Sequence, residues 1–273
     1  MNILVLNAGS SSQKSALYTL TEPLPAQPPA PRWEAQLDWT QQAGQASLTV
    51  ATASGEDYRD QWPSQSRFAD TERLLNTLWS GTTAVLASPK DIHAVGHRVV
   101  HGGDRYQSSV VITADVKQAI ADLASFAPIH NPVNRQGIDI AAQILGTDIP
   151  QVAVFDTAFH QQMPAAAAAY ALPYRYWQQG IRRYGFHGTS HQYCAQRAAA
   201  LLGRDLADLQ LINCHLGNGC SLSAIRGGIS VDTTMGFTPL DGLVMGTRSG
   251  AVDPGILIHL MRQAGLSADD LDR

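Results

Sequence analysis

Residues 2–20, NILVLNAGSSSQKSALYTL, set the pattern from which the fold of this chain can be predicted. The apolar run from Asn2 to Leu6 indicates a short buried strand, and residues 14–20 indicate a second strand. The turn between them, NAGSSSQK (7–14), combines a glycine with three serines. Such a turn is either a plain connection or a loop whose backbone N–H groups and hydroxyls bind an anion.

A second stretch, LQLINCHLGNGCSLSAIRGG (209–228), repeats this pattern. In both stretches a turn with asparagine, glycine and serine separates an apolar strand from a second strand that carries a cationic residue. The repeat is either a coincidence or the sign of a duplicated unit, in which two domains each offer one turn to a shared cleft. Two facing anion-binding turns suit a polyphosphate better than a single carboxylate.

The composition limits the class of protein. The chain has 273 residues, enough for one large or two ordinary domains, and a net charge of −4 with scattered arginines, which argues against nucleic-acid binding. Its three cysteines (Cys194, Cys214 and Cys220) form no CxxC pair and indicate free thiols in a reducing compartment. The residues show no signal-peptide pattern and no run of 18 apolar residues, so we expect neither a signal peptide nor a membrane span. We therefore expect a cytoplasmic protein that binds neither nucleic acid nor membrane.

The remaining patterns predict an α/β protein. Strands are predicted at 33–40, 46–53, 92–100, 152–155 and 209–214. Helices are predicted from Asp70 or Thr71 onward, over 114–125, 133–145 and 188–202, and from Asp253 or Pro254 to Arg262. Strands followed by alternating helices and strands favour two domains with a boundary near residue 150, that is 1–150 and 151–273.

Arg98 lies in GHRVVHGG (96–103), where valines and glycines favour a strand. His93, His97 and His101 recur every four residues, but on a strand this spacing does not form a metal stripe. Alternation places Arg98 on the face opposite His97. An arginine among apolar residues on a buried strand is held either by a structural ion pair or by an anionic ligand.

Four further residues stand where ligands bind in α/β proteins. Asp156 follows a strand, at the edge where open sheets bind ligands. His130 lies in a proline-flanked loop, His187 lies next to a helix N-terminus, and Arg248 lies between glycines. Each alone is more simply structural, but together they place cations and imidazoles in both halves. The absence of GxxxxGK[ST], GxGxxG and GxSxG excludes a P-loop, a dinucleotide fold and a serine-hydrolase elbow.

Eight ordered segments resemble those of the acetate kinases. They are NAGSSS (7–12), HRVVHGG (97–103), APIHNP (127–132), FDTAFH (155–160), RRYGFHGTSH (182–191), CHLGNG (214–219), GFTPLDGL (236–243) and GTRSG (246–250). The resemblance covers essentially the whole chain. It implies two RNase H-like, actin-like ATPase domains around a central cleft, the second one truncated, and commonly a homodimer.

The resemblance also implies roles for individual residues. Catalytic roles fall to Arg98, His130, Asp156, His187 and Arg248. The substrate pocket is implied to consist of Arg98 on the acetate carboxylate and of Val100, Ile129, Phe186 and Pro239 around the methyl group. Binding of ATP or ADP is implied for Asn7, Ser10, Ser12, Lys14, His215, Leu216, Gly217, Asn218 and Gly219, with Mg²⁺ or Mn²⁺ near Asn7.

The implied reaction is reversible in-line transfer of a phosphoryl group from ATP to acetate, giving acetyl phosphate and ADP. The acetate carboxylate is already ionised at pH 7, so this nucleophile needs no general base. The site must instead stabilise charge on the transferring group, which arginine, histidine, backbone N–H and Mg²⁺ can do.

Members of this family are longer than 273 residues. The resemblance implies that the adenosine pocket, a second, acidic Mg²⁺ ligand and a helix returning to the first domain lie beyond Arg273, and Ala251 stands where the family usually has aspartate. Three alternatives stay open: a propionate kinase, although Val100 leaves little room; a fragment that only binds ligand or dimerises; and a sugar kinase or actin-like protein, for which the pocket lacks a polar set.

Overall fold

A computed structural model describes residues 1–25 and 27–272. The chain divides into two compact units, Met1–Ala158 and the part from Phe159 onward. No helix in the described part of the chain is long and apolar enough to cross a membrane.

Among residues 1–25 and 27–158, the first unit contains eight strands and three α-helices. The strands are β1 (Asn2–Ala8), β2 (Ser12–Thr19), β3 (Trp33–Asp38), β4 (Gln45–Thr52), β5 (Asp57–Pro63), β6 (Ala94–Val99), β7 (Val110–Val111) and β8 (Gln151–Phe155). The helices are α1 (Arg67–Asn76), α2 (Ala114–Asp122) and α3 (Asn131–Leu145).

The strands form one mixed sheet in the order β5-β4-β3-β2-β1-β6-β8-β7. Strands β1 to β5 make an antiparallel meander, whereas β6 runs parallel to both β1 and β8. Parallel neighbours need a crossover, and α2 and α3 lie in the connection from β6 to β8. The carboxyl ends of β1, β6 and β8 therefore meet at one edge of the sheet.

Alternation along the strands buries one face of this sheet. Leu4 and Leu6 of β1, Leu17 of β2 and Leu37 of β3 belong to the core that Leu74 and Leu75 of α1 also enter. The same alternation directs Val5, Lys14 and Thr49 away from that core, and these side chains are exposed. The helices thus cover the face opposite to the one that carries Asn7 and Arg98.

The second unit contains a three-stranded antiparallel sheet in the order β11-β10-β9. The strands are β9 (Gln210–Leu216), β10 (Cys220–Arg226) and β11 (Ile229–Thr233). The helices are α4 (Ala165–Ala168), α5 (Tyr174–Gln178), α6 (Gly188–Leu202), α7 (Pro254–Gln263) and α8 (Ala268–Asp272). Helix α6 packs on β9. In the loop before α7, the backbone N–H of Ala251 donates to the Gly242 carbonyl at 2.8 Å.

The α/β class predicted from the sequence is confirmed, and most elements occur within a few residues of their predicted bounds. The start of α1 was predicted wrongly. Ser66 caps this helix by accepting the Ala69 N–H at 3.1 Å, so the helix begins before Asp70. Asp70 is instead buried and accepts the indole N–H of Trp62 at 2.7 Å. The edge strand β5 was missed because its sequence, DYRDQWP, is largely polar and its residues mostly exposed.

Candidate functional site

The residues predicted to act fall into two groups, one in each unit. In the first unit, the turn after β1 is anchored rather than loose. Arg67 donates to the carbonyl oxygens of Gly9 and Ser10, and its guanidinium lies 3.6 Å over the Trp39 ring. The backbone N–H of Trp39 donates to the Ser11 carbonyl at 3.0 Å. The turn therefore has a fixed backbone that holds the Ser10 and Ser11 side chains in solvent.

Arg98 lies between two oxygen-bearing side chains at the carboxyl edge of the sheet. Its Nε lies 3.0 Å from Asp156 Oδ1, and its Nη2 lies 2.5 Å from Asp156 Oδ2. Its Nη1 donates to Asn7 Oδ1 at 3.2 Å. The carboxylate of Asp156 raises the pKa of Arg98, so the guanidinium keeps its charge although the side chain is partly buried. These bonds use three of its five N–H groups, which leaves two for an anion.

Two asparagines of α3, one turn apart, hold the backbone that follows Arg98. The Asn134 side chain accepts the Val100 N–H at 3.0 Å and donates to the Ala8 carbonyl at 2.8 Å. The Asn131 side chain accepts the His101 N–H at 3.1 Å and donates to the His101 carbonyl at 3.1 Å. Both asparagines are buried. They tie the ends of β1 and β6 to one helix, which fixes where Arg98 stands.

The other predicted residues of this unit occupy varied positions. Lys14 pairs with Asn7 across the β1–β2 ladder and is exposed, and Ser12 begins β2 half-buried. Val100 is buried, whereas Ile129 is 61% exposed in the loop before α3. His130 is the N-cap residue of α3 without a capping bond from its side chain.

The donor set beside Arg98 fits Mg²⁺ chemically. Asn7 Oδ1 and the Asp156 carboxylate are hard oxygen donors held by the same guanidinium. Mg²⁺ typically keeps several waters and takes one or two protein carboxylates together with substrate phosphates. No group of three or more histidine, cysteine, aspartate or glutamate side chains in the described part of the chain could hold a metal by itself.

In the second unit, strand alternation and helix periodicity bring one set of side chains face to face. Asn213 and His215 are two residues apart on β9, and Ser221 of β10 is paired with His215. On α6, Ser190 and His191 lie one turn from His187. The helix therefore lays its histidines on the polar face of the hairpin.

Ser221 links two histidines of this cluster. Its Oγ lies 2.9 Å from His187 Nδ1 and 2.8 Å from His191 Nε2. Asn213 Nδ2 lies 2.7 Å from His191 Nδ1. Burial, with smaller contributions from His160 and His215, lowers the pKa of His191 to about 3, so this ring is neutral at pH 7.

The backbone of His187 is strained. Its φ of 59° and ψ of 21° are in the left-handed region, and no other non-glycine residue of the described chain has a positive φ. It is the N-cap residue of α6, and its own side chain makes no capping hydrogen bond. Such a helix start attracts anions. Strain of this kind at a helix start is typical of functional positions.

Arg248 and His187 converge on Gly219. A Cβ at residue 219 would lie 3.2 Å from His187 Nε2 and 3.5 Å from Arg248 Nη1. Arg248 donates to the Pro239 carbonyl at 3.0 Å, and burial lowers its pKa without removing its charge. The His187 ring also stacks on His215 at 4.0 Å between centroids. A cation, an imidazole and a helix start thus lie close to Gly219, a residue without a side chain.

The rest of the β9–β10 turn is open. Leu216, Gly217 and Asn218 are exposed, and the Gly217 N–H donates to the Gly219 carbonyl at 3.1 Å. Phe186, expected to line the methyl pocket, is only 1% exposed, and its carbonyl lies 3.0 Å from His160 Nε2. The ring of Phe186 is thus part of the interior of the second unit.

Sequence reasoning missed the supporting residues in both units. They are Asn131 and Asn134 in the first unit, and Ser190, His191, Asn213 and Ser221 in the second. Ser190 and His191 stand inside the RRYGFHGTSH motif, so helical spacing from His187 could have found them. Asn213 and Ser221 lie in regular strands and carry no comparable signal.

The first unit holds an arginine against a carboxylate, and the second unit places an arginine and a histidine beside a glycine turn; both arrangements are chemically suited to phosphate and carboxylate groups. The chain belongs to the acetokinase family, whose sequence model matches residues 2–273.

Relatives of known name support this assignment. The acetate kinases of a Cyanothece strain and of Gloeobacter violaceus are each 60% identical over 273 residues, which is all of this chain and 67% of theirs. The crystal structure of Porphyromonas gingivalis acetate kinase matches with a TM-score of 0.86 and 39% identity, over 99% of this chain and 66% of that one. A propionate kinase structure from Francisella tularensis matches with a TM-score of 0.88 and 39% identity, with the same coverage. The chain thus spans about two thirds of the length of these relatives.

Proposed function

We propose that this chain carries the transfer machinery of an acetate kinase, which moves the γ-phosphoryl group of ATP to the carboxylate of acetate and forms acetyl phosphate and ADP reversibly. The observation that carries the proposal is the convergence of His187 Nε2 and Arg248 Nη1 on Gly219 at the start of α6. These are the donors that a transferring phosphoryl group requires around its equatorial oxygens.

Arg98 takes the other partner of the reaction. The two N–H groups left beside Asp156 and Asn7 suit a carboxylate, and the fixed guanidinium orients the nucleophile. Since acetate is already ionised, no residue has to remove a proton from it. The task of Asp156 is then to hold Arg98 in position rather than to act as a base.

Phosphate groups would bind at the Gly217–Gly219 turn of the second unit, and the Asn7–Ser12 turn offers similar donors in the first unit. Backbone N–H groups and serine hydroxyls in these turns are suitable donors. Mg²⁺ bound to the phosphates would supply further positive charge, with Asn7 and Asp156 as the oxygen donors of this chain nearest to Arg98.

An assay that traps acyl phosphates as hydroxamates tests the proposal. The 273-residue chain and the product of the complete open reading frame that contains it are incubated with ATP, Mg²⁺ and acetate, propionate or butyrate. We expect the complete product to form more acetyl hydroxamate than propionyl or butyryl hydroxamate. The rate of the 273-residue chain divided by that of the complete product measures the activity of residues 1–273 alone. Preference for propionate would make the chain a propionate kinase, and no acyl phosphate from a folded complete product would refute the proposal.

The proposal includes a homodimer located in the cytoplasm. Family membership supports both, and the lack of a membrane-crossing helix in the described chain is compatible with the location. Light scattering after size-exclusion chromatography of the complete product should give twice the monomer mass. A monomer at micromolar concentration would contradict the dimer.

A further inference from the structure

Asn213, His191, Ser221 and His187 are linked by consecutive hydrogen bonds, which we call the Ser221 relay. The direction of these bonds can be assigned, because the Asn213 amide nitrogen at one end of the relay can only donate. The Asn213 Nδ2 amide group carries two hydrogens and no lone pair for a bond, so His191 Nδ1, at 2.7 Å, must accept. A neutral imidazole that accepts at Nδ1 carries its proton on Nε2. His191 Nε2 therefore donates to Ser221 Oγ at 2.8 Å.

Ser221 passes this direction on. Its hydroxyl has a single proton, and its oxygen already accepts from His191. The proton is then available for His187 Nδ1 at 2.9 Å. Ser221 is fully buried between the two rings, so water does not compete for this bond.

We infer that Asn213, His191 and Ser221 are positioning residues that fix the proton of neutral His187 on Nε2, the nitrogen that lies beside Gly219 and Arg248. The inference rests on the proposed function in one respect only: the role of this N–H group as a donor to a phosphoryl group requires that the protein transfers one.

The fixed tautomer makes His187 a donor toward the phosphoryl group. An Nε2 atom without a proton would direct a lone pair at an anion, which is repulsive, whereas an N–H group binds it. The strained backbone of His187 and the stack on His215 fix the ring, and the chain through Ser221 fixes the proton. A donor set in advance needs no rearrangement during the reaction.

Nuclear magnetic resonance of ring-¹⁵N-histidine tests the tautomer without any substrate. The chain has nine histidines, and His187→Gln identifies the signals of His187 by their loss. In the wild-type chain at pH 7.5 we expect an unprotonated Nδ1 and a protonated Nε2 for this residue. A proton on Nδ1 would refute the inference.

Ser221→Ala and Ser223→Ala form a matched pair. Both serines are fully buried on β10, but Ser223 bonds Ser230 rather than a site histidine. Ser221→Ala should move the two ¹⁵N shifts of His187 toward the average of both tautomers, while Ser223→Ala and Ser221→Thr leave them in place. If the ¹⁵N shifts of His187 are unchanged in Ser221→Ala, the inference that Ser221 sets the tautomer is wrong. If Ser221→Ala does not fold, Asn213→Leu provides the same comparison.

Kinetics separate the failure of the relay from the failure of the proposed function. In the complete gene product, Ser221→Ala should reduce kcat about tenfold with KM for acetate nearly unchanged, and Ser221→Thr should restore most of it. A wild-type Nε2–H tautomer in a protein without acetate kinase activity would refute the function and leave the tautomer assignment standing. An active protein in which Ser221→Ala shifts the tautomer but not kcat would refute the positioning role.

Discussion

The two site arginines are held in opposite ways. Arg98 is bound by a buried carboxylate through two of its nitrogens and by the Asn7 amide oxygen, so its charge is compensated within the protein. Arg248 donates to the Pro239 carbonyl and contacts the Met245 sulfur at 3.7 Å, and no ion pair of Arg248 occurs within residues 1–25 and 27–272.

This difference matches two different tasks. A compensated arginine orients a ligand with little net attraction, which suits a small monoanion. An uncompensated arginine in a partly buried setting attracts strongly charged groups, because no carboxylate competes for it. Under the proposed function, Arg98 would orient acetate and Arg248 would bind the oxygens of the transferring phosphoryl group.

The largest expected effect is on turnover. Arg98→Ala and Arg248→Ala in the complete gene product should each reduce kcat at least about a hundredfold, on the order of 3 kcal/mol of transition-state stabilisation. Only Arg98→Ala should also destabilise the fold, because it leaves Asp156 buried without its cation. Steady-state kinetics and urea unfolding measure the two effects. A loss of activity below threefold for either variant would remove that arginine from the mechanism.

The carboxylate that distinguishes Arg98 gives the next effect. Asp156→Asn keeps the shape of the side chain but removes the charge, and we expect a loss of about 2–3 kcal/mol in the free energy of unfolding. Asp139→Asn is the matched control, since Asp139 also pairs with two cations, Lys117 and Arg135, but is 36% exposed. The control should cost less than about 1 kcal/mol. If Asp156→Asn and Asp139→Asn lower the urea midpoint equally, the buried position of Asp156 adds nothing to the stabilisation by its ion pair with Arg98.

Acid should destabilise both units, the first more than the second. Burial lowers the pKa values of His97 and His101 to about 4 and that of His191 to about 3. The unfolded chain gains protons as the pH falls through about 6.5, while the folded chain does not until about 4, so stability is lost within that window. At pH 5 each histidine contributes a loss of about 2 kcal/mol.

Urea unfolding at pH 7.5, 6 and 5 measures this slope. His97→Gln should flatten it, because a glutamine can still bond the Gln151 side chain, which His97 Nε2 approaches to 2.6 Å, but does not take up a proton. His259→Gln changes an exposed histidine and serves as the control. A slope that His97→Gln does not alter would contradict the assignment of this histidine as a buried neutral group.

The smallest effect comes from conservative exchange. Lysine cannot reproduce the two-nitrogen bond to Asp156, so Arg98→Lys should lose more activity than Arg248→Lys, by roughly tenfold. Arg248 makes its bond through Nη1 alone to a carbonyl, which an ammonium group can also reach. The kcat/KM values of the two variants for acetate decide the order. A larger loss in Arg248→Lys than in Arg98→Lys would contradict the prediction that Arg98 depends more on guanidinium geometry.

Much of the fold follows from periodicity. Helix α6 occupies the predicted residues 188–202, and the two predicted hairpins occur as β1–β2 and β9–β10. Period-2 burial on β6 places Arg98 opposite His97 and Val99, as expected from alternation. Burial of an apolar face dictates these features locally, so the sequence alone contains the signal.

The geometry of the candidate site depends on hydrogen bonds between residues far apart in the sequence, which no local sequence pattern predicts. Asn134 joins the Ala8 carbonyl across 126 residues, and Ser221 meets His187 across 34. Asn131 follows His130 in a proline-flanked segment that was interpreted as a loop, yet it begins α3 and is fully buried. Short polar side chains in such positions can face either solvent or a tertiary partner, and only the fold decides which.

The backbone of His187 has a consequence for laboratory evolution of this protein. A residue with a φ of 59° is more comfortably glycine or asparagine, so selection for heat resistance alone would tend to replace it. Selection for growth that depends on the proposed reaction would keep it. Populations evolved under the two regimes should therefore separate at codon 187, and the frequency of histidine there would record which demand had governed their history.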